Sequence, residues 1–324
     1  MESQPKNFNQ LRTHFNNELV CFQYLEQQRW NGKPICPHCG SEHHSRTKTR
    51  FKHVDLAEYK DFRCKACDKK YTVLTGTIYE SSKISLQIWF QALYLITAHK
   101  KGISSLQLAS DLGVTQKTAW FMLHRLRELV SDTEFEILEG TISSDETYVG
   151  GKSKNKHKNK KTGNNQGRSA KDKTPVVGLM EENGKVVTFV VKSTDAETLH
   201  GIINSNVKKG STVVTDAYRA YNGLGLKYKH VVVKHEDGKY VVDGSFSTNN
   251  VENFWSLFKR GIIGIYHYAS PKHLQRYCEE FEYRYNNRKL TDIEKFEQAI
   301  KMAGNARLSY SDLIGKDNGK KENI

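Results

Sequence analysis

Three acidic residues, Asp145, Asp216 and Glu252, have the side-chain type and the spacing of a divalent-metal site. Carboxylates are the hard oxygen ligands that Mg²⁺ and Mn²⁺ prefer. Two such ions, about 3.5–4 Å apart, can cleave a phosphodiester when one activates the nucleophile and the other stabilises the leaving oxygen. We expect Asp145 to bridge both ions and each of the other acids to serve mainly one. Taken singly, any of these acids is more often a surface charge, so the prediction depends on the joint pattern.

Lys259 gives that pattern a second test. It lies seven residues after Glu252, about two turns of a helix, so both side chains share one helical face. A lysine at that position, with Arg260 beside it, can hold a nucleic-acid phosphate next to the metal ions.

Four cysteines form two tight pairs, Cys36–Cys39 and Cys64–Cys67, each with a two-residue gap. Such a gap lets both thiolates of a pair reach one ion, and two pairs complete a tetrahedral Zn²⁺ site. The 24 residues between the pairs predict a long hairpin. We therefore expect one structural zinc ion per chain, held in a zinc ribbon that obtains much of its folding free energy from the metal.

The acids must be positioned by alternating strands and helices. Strand patterns cover 141–149, 175–180, 185–192, 211–215 and 230–234; Asn183-Gly184 is a hairpin signal, and helical patterns cover 195–207, the segment from 216 and 251–260. Asp145 lies within the first strand, Asp216 ends the fourth, and Glu252 opens the last helix, with 35 residues between Asp216 and Glu252. The order of elements is that of a ribonuclease-H-like α/β domain.

The segment from Ile84 to Val130 has helical periodicity and contains a helix-turn-helix pattern in which Gly113 breaks the chain and Thr115 can cap the second helix. An ordinary helical hairpin that contacts no DNA is the alternative. The predicted DNA contacts, on or near the outward face of the second helix, are Gln116, Lys117, His124 and Arg125.

Charge favours a polyanionic partner. The 324 residues carry 50 Lys and Arg against 36 Asp and Glu, a net charge of +14. The stretch 151–173 alone holds nine basic residues and one Asp. It predicts a basic arm on the DNA backbone, or otherwise a solvated insertion. The arm residues taken as DNA contacts are Lys152, Lys154, Lys156, Lys158, Lys160 and Lys161.

The longest apolar stretch is about half the ~20 residues that a membrane helix needs, and the N-terminus has no signal pattern. We therefore expect a cytoplasmic, nucleoid-associated protein, of bacterial origin, with reduced thiols and no membrane partner.

Several segments resemble the insertion-sequence transposases of the ISXO-two-like group, which are similar to Merlin elements: CPHCGS, FRCKACDKKYTVLTGTIYESSKISLQIWF, SDETYVGGK, VVTDAYRAYNGL and STNNVENFWSLFKRGIIGIYHYASPKHLQRYCEEFEYRYNNR. The resemblance implies a zinc ribbon, a helical DNA-binding region and an integrase-type catalytic domain whose acids map onto Asp145 and Asp216. Members of this group have been described with Asn in the third position. Asn249 therefore competes with Glu252, which we favour for its spacing. His235 and His267 also match, without an assigned role.

The combined prediction is an α+β multidomain DNA transposase that cleaves element ends with two Mg²⁺ or Mn²⁺ ions and transfers strands into target DNA. Its partners would be double-stranded DNA, as terminal inverted repeats and target, and further copies of itself in a homodimer or larger synaptic assembly. Rivals are a non-catalytic DNA-binding regulator or domesticated derivative, and a nuclease without strand transfer. The predicted divisions are a helical leader (1–30), a zinc ribbon (31–76), a helix-turn-helix region (77–135), a ribonuclease-H-like domain (136–300) with the basic insertion 151–173, and a polar tail (301–324).

Overall fold

The computed structural model describes residues 5–52, 54–131, 137–150, 173–182, 184–233 and 247–315. Its α-helices are α1 (Phe8–His14), α2 (Glu18–Trp30), α3 (Leu86–Ala98), α4 (Ser105–Leu112), α5 (Gln116–Val130), α6 (Ala196–Asn206), α7 (Asn249–Gly261), α8 (Leu274–Asn286), α9 (Asp292–Lys301) and α10 (Tyr310–Ile314). Its strands are β1 (His44–Lys48), β2 (Lys60–Cys64), β3 (Lys70–Tyr71), β4 (Thr141–Val149), β5 (Thr174–Glu181), β6 (Val186–Val190), β7 (Thr212–Asp216) and β8 (Lys229–Val233).

The chain forms two compact units. The first contains residues 1–130 together with 289–324, and the second contains residues 131–288. The four paired cysteines therefore lie in the first unit, and the three acids lie in the second. No helix in the described residues is both long and apolar enough to cross a membrane.

In the first unit, β1, β2 and β3 form an antiparallel sheet, in which β1 and β2 are the two arms of the predicted hairpin. Helix α2 supplies this small sheet with an apolar core. The ring of Trp30 packs edge-on against Phe62, and Phe62 stacks on Tyr71 with 5.1 Å between the ring centroids. Aromatic packing on a helix outside the sheet therefore stabilises it, in addition to the zinc ion that the cysteines predict.

The helices of the first unit follow their sequence signals closely. Ser85 caps α3, whose apolar face, which includes Trp89 and Leu93, is buried. The buried carboxylate of Glu18 accepts hydrogen bonds from the first two N–H groups of α3. Gly113 ends α4 in the left-handed conformation, with φ at 65°. The helix break predicted at this glycine is therefore present, and α5 begins three residues later.

Two of the predicted DNA contacts are corrected by burial. His124 is fully buried and Arg125 is 8 % exposed. The Arg125 guanidinium donates to the backbone oxygens of Leu308, Ile78 and Glu80, which are far from it in sequence. Segments of the chain outside α4 and α5 therefore cover this part of α5, and neither side chain lies on an outward face.

The end of the chain also differs from its prediction. Helix α9 packs on α3, with the ring of Phe296 5.7 Å from that of Phe90, so residues 289–300 belong to the first unit and not to the acid-bearing unit. The sequence predicts a polar tail from 301, yet Leu308 and Leu313 are buried and the ring of Tyr310 packs on Phe121. Residues 316–324 lie outside the described residues.

The second unit is built on a five-stranded sheet of order β6-β5-β4-β7-β8. The strands β4, β5 and β6 are antiparallel neighbours, and β7 and β8 continue the sheet parallel to β4. Helix α6 packs on one face through Leu199 and Ile203. The other face is covered by α7 and α8, through residues such as Phe254, Phe258 and Phe281. The sheet is thus a buried layer between helices.

The segment after Asp216 is not the α-helix that the sequence predicts. The Asp216 carboxylate accepts a hydrogen bond from the backbone N–H of Tyr218, and a 3₁₀ turn then covers Arg219–Tyr221. Gly223, with φ at 96°, prevents the turn from continuing. A side chain that bonds two residues ahead favours a turn over a helix.

Candidate active site

Asp145 and Asp216 lie at the same level on neighbouring parallel strands. The ladder between β4 and β7 pairs Ser143 with Val214, and each acid lies two residues farther along its strand. Because side chains alternate with a period of two, both carboxylates are on the same face of the sheet. Neighbouring strands are about 4.8 Å apart, which sets the scale of the separation between the two backbones.

Helix α7 lies on that same face, and its fit depends on a glycine. Gly178 is the partner of Asp145 on β5. A Cβ atom at Gly178 would lie 2.6 Å from Cζ2 of Trp255, which is a clash. The absence of a side chain at Gly178 therefore lets α7 approach the strand beside Asp145.

Glu252 lies in the first turn of α7 and is exposed. Its Oε1 accepts a hydrogen bond of 2.7 Å from the hydroxyl of Thr248, and Ser143 on β4 donates to the backbone oxygen of Ser247. The start of α7 is therefore attached to the strand that carries Asp145, and the third acid lies on the acid-bearing side of the sheet.

The pKa of Asp145 is affected by the charges of the other two acids. Burial, the largest cause, and the negative charges of Glu146, Asp216 and Glu252 together raise the pKa of Asp145 from 3.8 to about 7. A partly buried carboxylate among like charges is costly unless a cation compensates it. The donor set of three carboxylates, with this unfavourable accumulation of negative charge, fits hard divalent cations such as Mg²⁺.

The acids are not gathered as tightly as the thiols. Among the residues that the structure describes, Cys36, Cys39, Cys64 and Cys67 are the one group of three or more His, Cys, Asp or Glu ligands placed to hold a metal ion. The carboxylates would have to turn toward bound cations, and mutual repulsion favours their separation in the absence of cations.

Behind Asp145, on the opposite face of β4, a buried polar network connects the two acid-bearing strands. The Tyr221 hydroxyl donates to Oε2 of Glu146 over 3.0 Å and lies 3.2 Å from the Ser144 hydroxyl. Burial, and then the charge of Glu146, raise the pKa of Tyr221 well above its usual value, so this hydroxyl stays a donor. One hydrogen bond thus joins the turn after Asp216 to the neighbour of Asp145.

The remaining predicted residues of this region lie on or just after α7. Asn249 is its first residue and is partly buried, whereas Lys259 and Arg260 are exposed near its end. His267 is exposed, with φ at 60°, and its ring nitrogen lies 3.1 Å from the backbone oxygen of Ile263. The predicted residues that fall outside the described residues are His235, Asn183, Lys152, Lys154, Lys156, Lys158, Lys160 and Lys161.

In the first unit the four cysteines form a tight cluster. The Sγ atoms of Cys36 and Cys67 are 3.8 Å apart, those of Cys39 and Cys64 are 3.6 Å apart, and all four lie within 4.8 Å of one another. Zn–S bonds of 2.3 Å in a tetrahedron require S–S separations of about 3.8 Å. The cluster therefore has the dimensions of a zinc site.

The turns around the cysteines explain this geometry. The residue after each pair, Gly40 (φ 74°) and Asp68 (φ 58°), is left-handed, which turns the chain back toward the pair. The backbone N–H groups of Cys67 and Ala66 donate to the Cys64 sulfur. The bond from Cys67, the largest effect, and that from Ala66 lower the pKa of Cys64 to about 6, toward the thiolate that a metal needs.

The two remaining predicted DNA contacts, Gln116 and Lys117, are exposed at the start of α5. Gln116 donates to the hydroxyl of Ser105 on α4, and the Lys117 ammonium lies 5.4 Å from the centre of the Tyr310 ring. An exposed first turn of α5 is compatible with a nucleic-acid contact, but the burial of His124 and Arg125 confines such a surface to this end of the helix.

Sequence reasoning missed three residues around the acids: Gly178, Glu146 and Tyr221. Glu146 had a usable signal, because a residue adjacent to Asp145 in a strand must lie on the opposite face. Gly178 and Tyr221 had none, since their roles depend on a helix and a strand that are distant in sequence.

Comparison with known proteins finds a matching family model in each unit. The ISXO2-like transposase domain matches residues 137–286, and the transposase zinc-ribbon domain matches residues 16–70. The chain belongs to the ISXO2-like transposases. It is 28 % identical, over 280 residues, to a protein described as an uncharacterized protein in transposable element ISH50 of Halobacterium salinarum; the match covers 83 % of this chain and 91 % of the relative.

A second relative of this ISXO2-like transposase is an uncharacterized transposase-like protein of Haemophilus influenzae, 30 % identical over 119 residues, which are 36 % of this chain and 94 % of the relative. Among solved structures, a Mos1 transposase paired-end complex with left transposon end is 11 % identical, with a TM-score of 0.19, over 67 % of this chain and 79 % of that chain. A superposition that weak establishes neither a shared fold nor shared chemistry. The family and the insertion-sequence relative establish a DNA transposase with a zinc-ribbon domain, as predicted.

Proposed function

We propose that this transposase cuts phosphodiester bonds at the ends of its element and joins the freed 3′-hydroxyl to target DNA, with divalent cations held by Asp145, Asp216 and Glu252. The observation that carries the proposal is the in-register placement of Asp145 and Asp216 on one face of the sheet, with the Glu252 helix attached to the same strand. Bound Mg²⁺ or Mn²⁺ ions, two per site, would activate the attacking oxygen and stabilise the leaving oxygen.

Each acid has a distinct role in this proposal. Asp145, on the central strand of the sheet, would serve both ions, whereas Asp216 and Glu252 would each serve mainly one. Asn249 remains the competitor for the third position. Glu252 is supported by its charge being among those that raise the pKa of Asp145. Lys259 would hold a DNA phosphate near the ions.

We also propose that the second unit is a ribonuclease-H-like domain. The support is its topology: three antiparallel strands, a helix, and two further strands that extend the sheet parallel to the first. This arrangement brings the middle of β4 and the end of β7 together without any long-range sequence motif. In open α/β sheets, ligands bind beyond the carboxyl ends of the parallel strands, and Asp216 lies at that end of β7.

DNA recognition is assigned to the first unit and to the basic insertion 151–173. Helices α4 and α5 would act as a helix-turn-helix through the exposed Gln116 and Lys117. The insertion would lie along the phosphate backbone without sequence preference. The ribbon would hold one zinc ion as a structural element. Because recombination joins two element ends, we expect a homodimer or larger assembly on terminal inverted repeats.

The decisive experiment is cleavage and strand transfer on DNA that carries the element's own ends. Asp145→Asn and Asp216→Asn should abolish both reactions and leave end binding nearly unchanged. Asp195→Asn, the same substitution at a helix cap in the same unit, should retain both reactions. Lost end binding in the active-site variants would point to a structural role for the acids.

A second pair of variants separates the candidates for the third ligand. Glu252→Gln should abolish cleavage, and Asn249→Ala should reduce it less. The reverse order would assign the third position to Asn249. Cleavage by the natural sequence without joined product would identify a nuclease, and binding with neither reaction would identify a regulator.

A further inference from the structure

Helix α7 carries an exposed row that begins at the third acid. Glu252, Ser256, Lys259 and Ile263 follow one another at intervals of four, three and four residues, and all are exposed. Such spacing places them along one face of a helix. The opposite face, which includes Phe254 and Phe258, is buried in the core. The helix therefore presents one continuous line of side chains outward from the proposed cleavage site.

The row ends in an apolar tip, defined here as Ile263 and Tyr268. Ile263 is 68 % exposed and Tyr268 is 64 % exposed. Both side chains are apolar and close in sequence, so together they give the outer end of the row an apolar surface.

The turn that carries the tip is anchored by buried contacts. Residues Ile262–Tyr266 form a π-helical turn, a rare element that is frequent at functional sites. The Tyr266 hydroxyl donates to Glu280, and its ring packs edge-on against Tyr277 with 4.8 Å between centroids. Beyond it, His267 adopts a left-handed φ of 60°, and the Tyr268 N–H donates to the backbone oxygen of Tyr266. The exposure of the tip is thus built into an anchored turn.

Positive charge beside the apolar tip favours a negatively charged partner. Lys259 and Arg260 are exposed one turn before Ile263, so the partner that covers the tip also meets two positive charges. Ile263 lies eleven residue steps after Glu252, a rise of about 16 Å along a helix, which spans about five base-pair steps of a DNA duplex. A DNA end bound at the acids and running along α7 would bring bases within reach of the tip.

We propose that Ile263 and Tyr268 contact bases of the element end, and unstack one or more of them, within about five base pairs of the phosphate cut at the acid site. Apolar side chains inserted at a base step and aromatic rings stacked on a base are the ways in which such residues stabilise distorted DNA. This inference rests on the proposed function, because it takes the acid site as the place of cleavage.

The test uses the full chain with Asp216→Asn as background, so that binding is observed without cleavage. A duplex carrying the element end is labelled with 2-aminopurine at successive positions on either side of the cut, since its fluorescence rises when the base unstacks. We expect a rise at one or two positions, and its loss with Ile263→Ala and Tyr268→Ala combined, together with about tenfold weaker binding of the end. Tyr268→Trp alone, with Ile263 unchanged, should keep the fluorescence rise, because a larger ring can still stack on a base.

Leu226→Ala is the matched control. Leu226 is 92 % exposed in the same unit and precedes β8, at the end of the sheet opposite Asp216. It should change neither fluorescence nor affinity. Unaltered base unstacking in the tip variant would overturn the proposal. A tip variant that instead loses self-association, measured by light scattering, would assign the surface to a second copy of the chain. Failure of the proposed function would be seen separately, as cleavage that survives Asp216→Asn.

Discussion

Asp145→Asn is expected to stabilise the metal-free second unit at pH 8. The pKa of this carboxyl rises from 3.8 to about 7 in the folded chain, chiefly through burial. Between these two pH values the folded state binds more protons than the unfolded state, so stability falls as pH rises through this window. At 1.36 kcal/mol for each pH unit, the penalty at pH 8 has an upper limit of about 4 kcal/mol. The amide removes the charge and keeps the shape.

Hydrogen exchange of peptides that cover β4 and β5 measures this effect within the second unit alone. Protein and buffer should be freed of divalent ions by gel filtration, because a strong chelator would also remove zinc from the ribbon. The gain should be largest at pH 8 and fall to under half by pH 5. Added Mg²⁺ should stabilise the natural sequence and leave the variant nearly unchanged.

Asp195→Asn supplies the comparison. Asp195 caps α6, and hydrogen bonds from Ser193 and Thr198 lower its pKa, so loss of its charge should bring no gain at any pH. Two results would contradict this prediction: an Asp145→Asn variant less stable than the natural sequence at pH 8, or equal protection of both proteins by Mg²⁺. Either result would mean that the buried charge of Asp145 does not destabilise the metal-free second unit.

Three further perturbations follow from contacts described above. Cys36→Ser should release about one zinc ion per chain, measured by atomic absorption, and unchanged zinc content would exclude the ribbon site. Gly178→Ala should destabilise the second unit by about 1–3 kcal/mol in urea unfolding, because its Cβ would clash with Trp255; an unchanged midpoint would show that α7 can shift at no cost. Tyr221→Phe should raise the Mg²⁺ concentration needed for half-maximal cleavage and for half-maximal thermal stabilisation. Tyr228→Phe, which removes a buried hydroxyl bonded to Val207, should leave both unchanged, and equal effects of the two variants would reduce Tyr221 to a core residue.

The placement of the acids was predictable because local patterns determined it. The strand pattern of 141–149 predicts β4 with the bounds that the structure has, and Asp195 caps α6 as its sequence suggests. Parallel pairing of β4 with β7 then brings Asp145 and Asp216 together. Once the strands are recognised, the physics of pleating leaves little freedom in where these two side chains lie.

What sequence missed depends on contacts between distant segments. Nothing near Arg125 reveals that the oxygen of Leu308, 183 residues later, will receive its hydrogen bond. The helical pattern after Asp216 was equally misleading, because the carboxylate itself captures the N–H of Tyr218 and favours a turn. Periodicity describes the residues of one element at a time. It does not show which distant segments will bury that element, or which side chains will hydrogen-bond to the backbone.

The return of residues 289–315 to the first unit has a consequence for how the chain is made. The second unit is complete once Arg288 has been synthesised, but the first still lacks α9, whose Phe296 contacts Phe15 and Phe90. The cysteine-bearing unit is thus interrupted by the acid-bearing unit, and part of it is synthesised only after that unit is complete. A copy of the gene with a stop codon shortly after 288 would encode a whole acid-bearing unit beside an unfinished partner.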